Sequence, residues 1–126
     1  MSGFIDYLPE VFELFGSIDT RRMFGGYGVY HHGLMFGLVA DDTLYLKTDA
    51  GNLQFFVAEG LGPFAFTSKD GRTTKMSYYR APDEILDDRE LAKTWGQRAF
   101  DAALRAQAAK KPAPAKPSRT TKRKSP

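Results

Sequence analysis

A run of glycines and aromatics embedded in apolar sequence constrains this chain more than any other stretch. It reads Arg21-Arg22-Met23-Phe24-Gly25-Gly26-Tyr27-Gly28-Val29-Tyr30, then His31-His32-Gly33-Leu34-Met35-Phe36-Gly37-Leu38-Val39. Glycine weakens a strand interior, so several in one β-type run point to a bulge or to a surface that something approaches closely. What approaches, a helix of the same protein or a ligand, decides the function.

The rest of the chain has to supply a fold for that run. With 126 residues, 42% of them hydrophobic and ten Phe, six Tyr and one Trp among them, it has material for one domain with a modest core. The absence of Cys excludes disulfides, thiolate metal sites and thiol nucleophiles together. No apolar run approaches the ~18 residues of a membrane span, and the N-terminus has no basic-then-apolar leader pattern. A cytoplasmic protein without membrane contact is expected.

Periodicity orders the elements. Phe4, Leu8, Val11, Phe12 and Phe15 recur at helical spacing between Gly3 and Gly16, with Pro9 either in a first turn or at a kink. Three strands are predicted at Arg22–Tyr30, Leu34–Ala40 and Thr43–Thr48, joined by two-residue turns at His32-Gly33 and Asp41-Asp42. In the register those turns imply, Gly28 opposes Gly37. Phe24, Gly26, Gly28, Tyr30, Met35, Gly37, Val39, Leu44 and Leu46 then share one face, expected to lie under helices. Met23, Tyr27, Val29, Phe36, Leu38, Tyr45 and Lys47 share the other; a slip of one residue would exchange them.

Asp49 is expected to cap a helix running to about Glu59. Pro63–Lys69 and Thr73–Arg80 form a second hairpin around Asp70-Gly71, and Asp83–Leu86 makes one turn. Asp87 or Asp88 caps a long helix in which Leu91, Trp95, Ala99, Ala102 and Ala106 keep helical spacing. The order is α-β-β-β-α-β-β-α. It predicts a two-layer α+β domain over residues 1–109, with an antiparallel sheet of about five strands.

The formal charge of +3 conceals an asymmetry. Residues 110–126 hold seven cations (Lys110, Lys111, Lys116, Arg119, Lys122, Arg123, Lys124) and no acid, so the remainder carries 11 basic residues against 15 acidic ones, a net of −4. Rich in Pro, Ala, Lys, Ser and Thr, this tail is expected to be disordered. A flexible polycation suits phosphate backbones, read by charge without sequence preference.

These residues carry a resemblance. Arg22 through Tyr30, Gly33 through Val39, Leu44-Tyr45-Leu46-Lys47, Pro63-Phe64, Met76-Ser77-Tyr78-Tyr79 and Pro82 stand in the order and spacing of the TfoX (Sxy) N-terminal domain family. The chain resembles that family over about residues 4–105. The resemblance implies the α+β fold and a regulatory role: full-length members are bacterial regulators of natural competence that act as co-activators with the cyclic-AMP receptor protein. It brings no catalytic residue and no cofactor. Full-length members have a second, helical domain, whereas this sequence ends about twenty residues after the last predicted helix. It therefore reads as a stand-alone N-terminal domain.

Other chemistry finds little support in the residues. A phosphate loop needs a strand-to-helix turn, and Gly25-Gly26-Tyr27-Gly28 leads into more strand. His31 and His32 have no third His and no Cys to complete a metal site. Asp83, Glu84, Asp87, Asp88 and Glu90 read as solvated acids at a helix start, and Ser77 has no base at a recognisable spacing. Arg21, Arg22, Lys47, Lys75 and Arg80, with Tyr27, Tyr45 and Tyr79, can form a mixed aromatic-basic surface suited to protein or single-stranded nucleic acid. Hence the expected interaction residues are Arg22, Gly25, Gly26, Tyr27, Gly28, Tyr45, Lys47, Tyr78 and Tyr79, serving a protein partner or a second copy, with the tail serving nucleic acid. The rival expectation is a small-molecule-binding protein or enzyme. It requires an open, concave face at Gly26, Gly28 and Gly37 where Arg22 and Tyr78 converge.

Overall fold

The computed structural model describes residues 3–23, 25–67 and 69–110. Helix α1 (Gly3–Val11) leads into six strands, β1 (Asp19–Met23), β2 (Gly26–His31), β3 (Leu34–Ala40), β4 (Thr43–Lys47), β5 (Pro63–Thr67) and β6 (Thr73–Arg80). Helix α2 (Leu53–Ala58) separates β4 from β5, and a 3-10 turn at Asp83–Asp87 precedes α3 (Arg89–Lys110). The six strands form one antiparallel sheet in the order β1-β2-β3-β4-β6-β5. The α+β class stands as expected, with six strands in place of about five.

The additional strand comes from a hairpin inside the glycine run. Gly25, at φ +80°, lies between the paired residues Met23 and Gly26, so what reads as one strand from Arg22 to Tyr30 is two strands and a turn. The next two turns match their sequence signals. His32 and Gly33 (φ 49° and 77°) join the pair His31–Leu34; Asp41 and Asp42 (φ 52° and 55°) join Ala40–Thr43. Positive φ at both central residues gives the turn the twist that a two-residue hairpin requires.

The register between those turns differs from the expected one. Val29 pairs with Gly37 while Tyr30 pairs with Met35, so Phe36 is an extra residue in β3. This bulge sets Gly28 opposite Leu38 and divides the predicted faces. Tyr27, Val29, Gly37, Val39, Leu44 and Leu46 share the helix side, whereas Gly26, Gly28, Tyr30 and Met35 lie on the other.

All helices pack on that one side. Ile5, Leu8, Val11 and Phe12 of the α1 segment join Phe56, Ile85, Trp95 and Ala99 over Val29, Phe36, Val39, Leu44 and Leu46. Phe12 and Phe36 meet edge to face at 5.6 Å, and Phe56 meets Trp95 at 4.9 Å. Burying a Phe this completely contributes about 3–5 kcal/mol, judged by the cost of truncating one to Ala.

The helix boundaries follow local chemistry. Pro9 sits inside α1 rather than at its start. Asp88 caps α3, accepting the amide of Leu91 at 3.0 Å. Asp49 does not cap α2, which begins four residues later; its carboxylate accepts from Gly51 and Arg105 instead. The positions of Phe24 and of Lys111 through Pro126 lie outside the described residues.

Candidate interaction surface

The side of the sheet away from the helices carries Arg21 and Met23 from β1, Gly28 and Tyr30 from β2, Met35 and Leu38 from β3, and Tyr45 and Lys47 from β4. Tyr78 of β6 lies opposite Lys47. The surface is therefore aromatic and aliphatic with cations set among the rings. The Arg21 guanidinium lies 4.5 Å from the Tyr30 ring centre, and Lys47 Nζ lies 5.2 Å from that of Tyr78. Tyr45 packs edge to face on Phe64 of β5 at 4.9 Å. These rings hold one another in place, which lowers the entropic cost of presenting them to a partner.

The glycines of this side do not open a pocket. A Cβ on Gly26 would run into the Val39 carbonyl oxygen. One on Gly28 would lie within 3.3 Å of the Tyr30 ring and of both Met23 and Met35 sulfurs. Side chains of the sheet and a neighbouring backbone thus fill the space that the rival expectation assigns to a ligand. Gly37 faces the helices, and Gly25 is a turn residue with open space around it.

The predicted interaction residues divide between the two sides. Gly26, Gly28, Tyr45, Lys47 and Tyr78 belong to the open side. Arg22, stacked over Tyr27 at 5.9 Å, lies on the helix side, where Tyr27 and Tyr79 pack against the core. Arg22 and Tyr78 therefore do not converge. Tyr30, Met35 and Phe64 complete the open surface. Alternation about the bulge places the first two, and no sequence signal places that bulge.

Electrostatics separate two open-side groups from their surroundings. Burial, reinforced by neighbouring Tyr30, pushes the Tyr78 phenol up to about 12, so it stays protonated. Burial first and then the charge of Lys110 hold Lys47 below its ordinary value, against a smaller opposing effect of Asp49. Lys47 Nζ donates to Ser77 Oγ at 2.7 Å.

Two polar groups whose structural roles the sequence does not signal hold this end of the sheet. Asn52, 1% exposed, accepts from the Asp49 amide and donates to the carbonyls of Lys47 and Arg98. It ties β4 to α3. His31, also buried, stacks on His32 at 3.9 Å, and its Nδ1 is 2.7 Å from the Ser17 carbonyl. The pair is thus more than a hairpin tip. Among the described residues no group of three His, Asp or Glu could hold a metal ion, and no helix is long and apolar enough to cross a membrane.

An antiparallel sheet with helices on one side and a cation-studded aromatic surface on the other defines a sheet-presenting α+β domain. Comparison with known proteins gives its family: the TfoX N-terminal domain profile matches residues 10–103. The chain belongs to that family. It is 28% identical over 97 residues to Protein Sxy of Escherichia coli (strain K12), a match that covers 76% of this chain and 46% of that protein. The chain thus spans less than half the length of that relative.

Proposed function

We propose that the chain is a non-catalytic, cytoplasmic regulatory domain. It docks a protein partner or a second copy of itself through the open side of the sheet. The observation that carries this reading is the cation–ring surface built by Arg21, Tyr30, Tyr45, Phe64, Lys47 and Tyr78, opposite the helix layer. Aromatics and arginine are the residues enriched where proteins meet. Likeness to Protein Sxy supports the regulatory class, and a link to transcription follows by analogy with the competence regulators.

Residues 1–109 form the docking unit in this proposal, and residues 110–126 a tether. Lys110, Lys111, Lys116, Arg119, Lys122, Arg123 and Lys124 supply affinity for nucleic acid through phosphate contacts alone. The test is duplex DNA binding by the whole chain and by a 1–109 truncation over a salt series. With about five phosphates contacted, log affinity falls against log salt with a slope of roughly −4.5 for the whole chain, and truncation removes the binding. Equal, weak binding by both would remove nucleic acid from the proposal.

A further inference from the structure

At one end of the sheet a cavity of about 290 Å³ opens among Leu34, Met35, Lys47, Tyr78, Ala106 and Lys110, with Ala103 and Gln107 completing its wall. The last turns of α3 meet the start of β3, the end of β4 and Tyr78 of β6 there. The lining is amphipathic: alanine, leucine and methionine on one part, two ammonium groups, a phenol and an amide on the rest.

Its charges are of one sign. Lys47 and Lys110 both line the cavity, and no acid does; burial and then the charge of Lys110 hold Lys47 below its ordinary value. Asp49, whose charge acts on Lys47, is engaged by both Nε and Nη2 of Arg105 at 2.6 and 2.9 Å. Tyr78, 8% exposed, lines the same cavity. A phenol on the wall can donate to a group that enters the cavity. The chain's own continuation has the wrong charge, because six cations and no acid follow Lys110 in the sequence.

We propose that this cavity binds a small organic anion, its acid group held by Lys47, Lys110 and the Tyr78 hydroxyl, and its apolar body against Leu34, Met35 and Ala106. The volume lies at the lower end for small-molecule sites, which sets the ligand's size class. A mixed lining of this kind selects for both parts of the ligand. This inference does not depend on the docking role of the sheet.

The test is a titration of the full ¹⁵N-labelled chain with phenyl phosphate, followed by amide chemical shifts. Phenol and inorganic phosphate, each carrying half of the chemistry, are titrated in parallel. Saturable shifts at Met35, Tyr78, Ala103 and Ala106 are expected, with phenyl phosphate binding roughly tenfold more tightly than either half. Lys47→Met and Lys110→Met, which keep the stems and lose the charge, each weaken it roughly tenfold, and Tyr78→Phe roughly threefold. Both lysines are near the surface, and a dispersed spectrum verifies that each variant folds. The proposal is overturned by shifts confined to residues beyond Lys110, by unchanged affinity in both lysine variants, or by phenol binding as well as phenyl phosphate. It is equally overturned if a duplex oligonucleotide or an acidic peptide shifts these amides and phenyl phosphate does not.

Discussion

Asn52 shows how much of this fold rests on one buried amide. Its side chain makes three hydrogen bonds, at 2.9, 3.0 and 3.1 Å, to the backbone of Asp49, Lys47 and Arg98. Replacing it with Ala strands three buried backbone groups, and Asn52→Ala is expected to cost about 3 kcal/mol in a urea denaturation series. The neighbouring Asp49–Arg105 pair is exposed on the Arg side and therefore screened; Asp49→Asn is expected to cost about 1 kcal/mol. Its hydrogen bond from Arg105 holds the Asp49 carboxyl below its ordinary value of 3.8. The pair's contribution is thus present above pH 3.8 and lost as pH falls through the depressed folded value. Stability curves of the two proteins should run apart at neutral pH and converge in acid. A gap that persists unchanged at pH 2 would contradict this.

At the scale of elements, strength is distributed unevenly across the sheet. Strands β3 and β4 lie inside it and carry Phe36, Val39, Leu44 and Leu46 into the core, whereas β1 is an edge strand that contributes no residue to that cluster. Amide hydrogen exchange is expected to be faster in the edge strands β1 and β5 than in β3, β4 and the middle of α3. Uniform protection would show that β1 is held by something beyond its pairing with β2. The same contrast explains what the sequence allowed one to read. His32-Gly33 and Asp41-Asp42 are turns whose residues tolerate left-handed backbone, so they were legible. The turn at Gly25 was not, because it lies in an unbroken run of glycine and aromatic residues. The bulge at Phe36 has no residue signature at all: it lets Val29, Phe36 and Val39 all reach the core, a matter of tertiary packing. Gly26 and Gly28 therefore exchanged faces with Tyr27 and Val29, and of the anticipated interaction residues Tyr45 and Lys47 kept their side. The structural roles of Asn52 and His31 have no local signal because their partners, Arg98 and Ser17, come from distant or irregular backbone.

For the whole molecule, one layer of helices leaves the other side of a six-stranded sheet to do the work. Charge is divided along the sequence: net −4 over residues 1–109 against seven cations over residues 110–126. In the proposed function the tail holds the domain near nucleic acid while the sheet receives a partner. The most direct measurement is genome-wide transcript levels in the host, compared among the native chain, its deletion and Tyr45→Glu. That substitution sets a carboxylate against Phe64 at the centre of the open surface and leaves the core residues Leu44 and Leu46 in place. With the folded state verified by hydrogen exchange, Tyr45→Glu should reproduce the transcript changes of the deletion. A folded Tyr45→Glu protein that leaves transcripts as in the native strain, where deletion alters them, would contradict the assignment of this surface.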